Sequence, residues 1–295
     1  MSETNLKTIN EQKVVPEKKE VISNPIYEKY GPDHVMNVIE NIKAINKPER
    51  IWFDFSLPSN GRCGYPKIIQ LRELTTEDEK IFLKEIFGGK EKAVMNLIKK
   101  CAKFEDGIVF DFNSLTTFDQ DFILLELSSI TFPGEKSITI TDENGHKVEM
   151  KLNKEELTMN KMEENEEYPF KVELDNGYIW YLEFMTLDKI AKIENTSKMI
   201  AEGDYLTRVF NSISHCTNKV VIKENNLTIK VDTIYDYVRL LESMKLRHQE
   251  KIIKFYNDST SLKYGYKLTK EYFCVECGKY GKVALDPTTF FRLTM

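Results

Sequence analysis

The sequence predicts an α+β fold: two related modules, each a helix followed by a β-hairpin, behind a flexible N-terminal arm. Three observations lead there. Helix and hairpin patterns interleave along the chain without the strand–helix–strand rhythm of a parallel sheet. One pattern occurs twice. Cys101 stands 20 residues before Asp121-Phe-Ile-Leu-Leu-Glu-Leu127 and a hairpin, and Cys216 stands 20 residues before Asp236-Tyr-Val-Arg-Leu-Leu-Glu242 and another. Finally, the second copy ends in Cys274-Val-Glu-Cys277-Gly278, a knuckle turn suited to a metal, at a hairpin tip.

The elements follow in order. Residues 1–50 form an arm and a short helix. The first 25 or so are charged, interrupted by Pro16 and without periodicity, which fits a tail or an arm that orders on a neighbouring subunit. Val35, Val38, Ile39, Ile42 and Ile45 then share one helical face. The first module spans 51–153. It opens on a turn-rich stretch, 53–66, and a strand, 67–74. Thr76 to Glu79 reads as a capping box that starts a helix, and Gly88-Gly89 stops it. A helix over 90–103 places Val94, Leu97, Ile98 and Cys101 on one face. A helix near 117–130 and a hairpin at 136–152, turning at Asn144-Gly145, complete the module.

A connector, 154–203, carries a charged run, a hairpin turning at Asp175-Asn-Gly177, and a helix from 186. In its second strand, alternation puts Tyr178 and Trp180 on one face and Tyr181 on the other. The second module, 204–295, begins with a helix ending in His215-Cys216. A short hairpin, one helix over 233–257 and the Cys274–Cys277 hairpin follow.

Composition bounds the chemistry. With 17 Phe and 14 Tyr there are aromatics enough for a core, while 41% hydrophobic and 30% charged residues leave room for a disordered segment. A net charge of −5 and a pI near 5.6 argue against a general nucleic-acid binder. Five cysteines, an odd number, fit a reducing cytosol better than a disulfide framework. The N-terminus lacks a secretory signal, and no segment has the ~20 apolar residues of a membrane span.

Cys274 and Cys277 are the candidate metal ligands. If Gly145 is laid on Gly278, Thr141 and Asn144 occupy the positions of the two cysteines, so the first hairpin lacks its own pair. A tetrahedral zinc site needs four ligands. The expectation is therefore no cofactor and two free thiols. The alternative is a structural zinc completed by Cys63, Cys101, Cys216, His215 or His146, or by another chain. Cys101 and Cys216 read as buried, inert residues. There is no Ser/His/Asp set, no Gly-rich phosphate loop and no HExxH motif, and no carboxylate pair stands out, so no catalytic residue is assigned. The run Glu163–Glu167 reads as solvated. Arg239, Lys245, Arg247, His248, Lys251 and Lys254 read as the wet face of a long helix, or a docking face for an acidic partner.

Leu57-Pro-Ser-Asn-Gly61, Tyr65-Pro66 and Ile69-Gln-Leu-Arg-Glu-Leu-Thr-Thr-Glu-Asp-Glu-Lys80 resemble the opening of the T-even-type baseplate hub proteins of contractile-tailed bacteriophages. Cys101, Asp121 to Leu127, the Gly145 hairpin, Cys274 to Gly278 and Phe290-Phe291 resemble that family's later motifs, in the same order, from about residue 53 to the end. The family often carries two Cys-x-x-Cys pairs, which would make one four-thiolate site, whereas this chain has only the second. The resemblance implies a non-enzymatic structural or assembly role in the baseplate hub, made late in infection. Its partners would be other baseplate and tail proteins, with possible self-association, and without membrane or nucleic acid. It would reside in the host cytoplasm during assembly, and the resemblance leaves two fates open: retention in the virion baseplate, or release as an assembly factor. Two other readings remain: a zinc-ribbon adaptor for nucleic acid or polymerase, and a tail-associated hydrolase.

Overall fold

In a computed structural model the described residues are 36–38, 51–89, 92–105, 108–199, 205–229, 231–260 and 263–291. The chain divides into two units, Met1–Arg50 and Ile51–Met295. In the first, Met36–Val38 are helical; the arm and the helix positions Val35, Ile39, Ile42 and Ile45 lie outside the described residues. The second unit mixes helices with small antiparallel sheets, as an α+β chain should.

Its first half opens with β1 (Phe53–Ser56) and β2 (Ile68–Leu71), paired antiparallel with Phe53 opposite Leu71. The predicted turn-rich stretch thus begins with a strand. Its apolar alternation, Phe53 and Phe55, is brief enough to be hidden by the Pro and Gly that follow. Helix α1 (Thr76–Phe87) is capped one residue earlier than expected. Thr75 Oγ1 accepts from the Asp78 amide at 3.2 Å, and Asp78 Oδ2 accepts from the Thr75 amide at 3.0 Å. Helix α2 (Ala93–Cys101) ends two residues short of its predicted limit, because Ala102 and Lys103 form β3 and pair with β2.

Helix α3 (Thr117–Thr131) is buried continuously from Phe122 to Ser128. A helix apolar all round belongs in the middle of a fold. Phe122, Ile123, Leu124 and Leu127 pack into the first core with Ile69, Leu71, Ile98 and Cys101. Leu125 faces a different core under the hairpins. Glu126 is buried but matched, with Lys154 Nζ at 2.6 Å and the Tyr266 hydroxyl at 2.6 Å. The hairpin of β4 (Lys136–Thr141) and β5 (Lys147–Leu152) follows.

After β6 (Met159–Asn160), the second half builds a four-stranded sheet in the order β10, β9, β8, β7. These strands are β7 (Phe170–Glu173), β8 (Tyr178–Leu182), β9 (Thr217–Ile222) and β10 (Leu227–Thr228). Between β8 and β9 lie α4 (Leu187–Met199) and α5 (Tyr205–Cys216). Trp180 is fully buried in the second core, Tyr178 packs at its edge, and Lys219 lies over the Tyr181 ring, as the alternation requires.

The predicted single helix over 233–257 is two: α6 (Ile234–Ser243) and α7 (Leu246–Thr260). Met244 turns to ψ 156° with its side chain buried, and the Gln249 amide donates to the Leu241 and Met244 carbonyls at 2.9 and 3.2 Å. That side chain satisfies backbone acceptors that a continuous helix would have used. His248 is consequently buried and leaves the expected wet face. Strand β11 (Gly265–Tyr266) pairs with β6, and β12 (Thr269–Cys274) with β13 (Lys279–Ala284) forms the last hairpin.

The two halves share local geometry. Arg72 donates its amide to the Cys101 carbonyl at 3.0 Å, and Glu183 donates to Cys216 at 2.7 Å. In each, a helix ends on a fully buried Cys and runs directly into a strand that returns to the preceding sheet. Helices α3 and α6 start at caps Thr116 and Thr233, each followed three residues later by an Asp. The counterpart of Asp236 is therefore Asp119. The equal 20-residue spacing to Asp121 pairs residues with different jobs.

Candidate metal centre

The two long hairpins come together at their tips and at their bases. At the base, Leu125, Leu152, Leu285 and Phe290 form a small core. Along the sides, Lys270 Nζ reaches Glu156 Oε2 at 2.9 Å and the Lys151 carbonyl at 2.5 Å. At the tips, Asp142 and His146 of the first hairpin meet Cys274 and Cys277 of the second. One ligand atom from each of the four lies within 4.8 Å of every other.

Local backbone sets each side chain. Gly145 has φ +86° and Gly278 φ +67°, left-handed values that favour glycine in a tight turn. The Gly278 amide donates to the Cys274 carbonyl at 2.9 Å, and Gly145 to that of Asp142 at 3.0 Å. Asp142 Oδ1 accepts from the amides of Asn144 (2.9 Å) and His146 (2.8 Å), so the turn holds that oxygen and leaves Oδ2 facing the thiols. His146 Nδ1 lies 3.2 Å from Asp142 Oδ2 and 3.6 Å from Cys274 Sγ, while its Nε2 is 3.6 Å from Glu276 Oε2. The Cys277 thiol donates to Asp142 Oδ2 at 3.4 Å.

The cluster is sheltered but reachable. Cys274 is 1% exposed, and the side chains of Asp142 and His146 are 4% and 30% exposed. Burial works to raise the Asp142 carboxyl, but hydrogen bonds from the His146 amide and the Cys274 thiol hold it well below the usual range. A hydrogen bond with Cys277, then the Asp142 charge, raises His146. Backbone amides of Cys277 and Glu276 lie against the Cys274 sulfur, although burial and its bonds to Asp142 and Cys277 leave that thiol raised; the Cys277 thiol is lowered, with the Cys274 bond and the Lys279 amide outweighing burial. Such amides stabilise thiolates.

Of the residues named from sequence, Cys274, Cys277 and His146 meet here. Cys63, Cys101, Cys216 and His215 do not join them. Cys63 is held up by burial and the Asp119 charge, and burial pushes Cys216 up to about 11, so neither thiol is poised to attack. Asp142 stands one residue past Thr141, the position that aligns with Cys274, so superposing the two glycines does not mark it. An Asp and a His four residues apart around Asn-Gly was the available signal.

Elsewhere, Asp119 accepts from the Ser59 amide at 3.0 Å and the Tyr65 hydroxyl at 2.5 Å. Burial raises its pKa against those bonds. It pins the loop after β1 onto α3. Glu166, expected in solvent, is held by the Tyr264 hydroxyl and Lys263 Nζ. No helix among the described residues is long and apolar enough to cross a membrane.

A family model described as T4 bacteriophage base plate protein matches residues 51–292. No curated protein and no solved structure matches the chain.

Proposed function

Because the chain belongs to the T4 bacteriophage base plate protein family, we propose that it acts in the baseplate hub, as a non-enzymatic structural or assembly subunit. The observation that carries this reading is the family match across residues 51–292, which takes in both hairpins and both cores. The doubled modules, 51–153 and 204–295 with the connector 154–203, serve as a scaffold whose surfaces dock on other baseplate and tail proteins. Cys63 and Cys216 have suppressed thiols, and Asp119 is engaged by a tyrosine and a backbone amide, which supports a structural role for these buried groups.

The tip of the second hairpin supplies a contact surface. Val275 is 85% exposed and Tyr280 81%, and the Phe273 ring packs 4.9 Å from that of Tyr280. Large apolar groups clustered in solvent mark a protein interface. The other phage baseplate proteins are the partners that family membership supplies.

The test is direct. The purified chain is mixed with the other baseplate proteins of its phage and run by size-exclusion chromatography with light scattering. A stable complex of higher mass supports the role. Elution of every protein at its own mass, together with cell-wall cleavage by this chain alone, would replace it with the hydrolase reading.

A further inference from the structure

We propose that Asp142, His146, Cys274 and Cys277 bind one zinc ion that clasps the two hairpin tips. The inference stands on these four side chains and goes beyond the baseplate reading.

The distances carry it. Zinc bonds run about 2.3 Å to sulfur, 2.0–2.1 Å to imidazole nitrogen and 2.0–2.2 Å to carboxylate oxygen. A tetrahedron with those bonds has edges of roughly 3.6 Å for both S···N and S···O and roughly 3.4 Å for N···O. The corresponding separations are 3.6 Å from Cys274 Sγ to His146 Nδ1, 3.4 Å from Cys277 Sγ to Asp142 Oδ2, and 3.2 Å between His146 Nδ1 and Asp142 Oδ2. These three of the six edges lie within about 0.2 Å of the tetrahedral lengths, and all four ligand atoms lie within 4.8 Å of one another.

The surroundings fit as well. A histidine that binds a metal through one ring nitrogen commonly presents the other to a carboxylate. Glu276 Oε2 stands 3.6 Å from His146 Nε2, which leaves Nδ1 for the ion. Asp142 Oδ1 is occupied by two backbone amides, which leaves Oδ2. The amides of Glu276, Cys277 and Lys279 support the sulfurs. Two thiolates with one imidazole and one carboxylate, all tetrahedral, select zinc over oxygen-seeking cations. With all four positions taken by protein, the ion is structural, with no site open for a water nucleophile.

Ligand positions differ between the hairpins. The second uses the two cysteines of its knuckle, at 274 and 277, while the first uses 142 and 146, neither of which aligns with them when the two glycines are superposed. The loss of a thiol pair from the first turn is thus offset by side chains one and two residues further along.

The full-length chain, grown with zinc and purified without chelator, is analysed by elemental mass spectrometry. The expected content is one zinc per chain, and cobalt substitution should give the visible bands and thiolate charge-transfer absorption of a tetrahedral thiolate site. Cys277→Ser and His146→Ala should each lower zinc at least about tenfold, while Cys63→Ser retains it. Circular dichroism checks that each variant is folded. The cobalt spectrum is read on the unaltered chain, so variant instability leaves it intact. Failure of the unaltered chain to hold zinc or cobalt overturns the proposal, as does full zinc content in either ligand variant.

Discussion

The Cys277 thiol and the Asp142 carboxylate meet at 3.4 Å although 135 residues separate them in the chain. His146 adds contacts to Cys274 and Glu276, each at 3.6 Å, so polar groups join the tips, whereas the bases share a small apolar core. Stabilisation by a bound ion should therefore be local. Chelation is expected to lower the thermal midpoint and to speed amide exchange at residues 141–147 and 273–280, leaving the Trp180 core protected. Hydrogen-exchange mass spectrometry with and without chelator measures this.

Arg72 and Asp78 form an ion pair at 2.8 Å with both side chains 2% exposed. Lys100 Nζ adds a second cation 2.7 Å from Asp78 Oδ1. Burial works to raise the Asp78 carboxyl, but Arg72 and Lys100 hold it well below the ordinary range. Asp78→Ala strands the buried guanidinium and also removes the carboxylate half of the capping box of α1, the bond from the Thr75 amide. The expected cost is about 3–5 kcal/mol in urea unfolding. Combining it with Arg72→Met should recover part of that loss, since no buried charge is then left alone.

How far the sequence revealed these features depends on the range of the interactions. The capping box, the Asn-Gly turns and the Cys-bearing helix ends are local, and each was readable to within a few residues. The break at Met244 was not, because α6 and α7 together keep a continuous helical pattern. The break is set by Gln249 reaching back to two carbonyls. The candidate metal site was half legible. The knuckle announced itself, but its partners are chosen by how two hairpins lean together, which no spacing encodes. Asp119 was overlooked for Asp121 because equal spacing masks a two-residue difference between the caps.

Asp121 itself gives a pH dependence. Burial, reinforced by the nearby Asp286 charge, raises its carboxyl from 3.8 to about 7. The folded chain then holds a proton that the unfolded chain has released, so stability falls as pH rises from about 4 to about 7 and levels off above. Asp121→Asn should remove this part of the dependence. Urea midpoints at pH 5 and pH 7.5 should differ less in the variant than in the unaltered chain.

Gly265 has φ +81°, and a Cβ there would sit 2.9 Å from Phe118 Cβ and 3.3 Å from its carbonyl oxygen. Both contacts belong to a helix start that cannot easily retreat. Gly265→Ala is expected to cost about 1–3 kcal/mol by chemical denaturation. Gly145→Ala, with open space around its Cβ, should cost less.

At the exposed knuckle, Val275→Glu and Tyr280→Glu are expected to weaken binding to the partner baseplate proteins at least about tenfold, with the melting temperature within a degree or two of the parent. Surface plasmon resonance and thermal unfolding separate the two effects.

This chain is expected to work by its contacts inside the baseplate. Sedimentation of lysates from infected cells, followed by mass spectrometry of each fraction, tests it most directly. The prediction is that the chain travels with baseplate or tail precursors in a fixed ratio to their other subunits. If it is found only in the slow fractions, as a lone chain at every stage of infection, the claim is wrong.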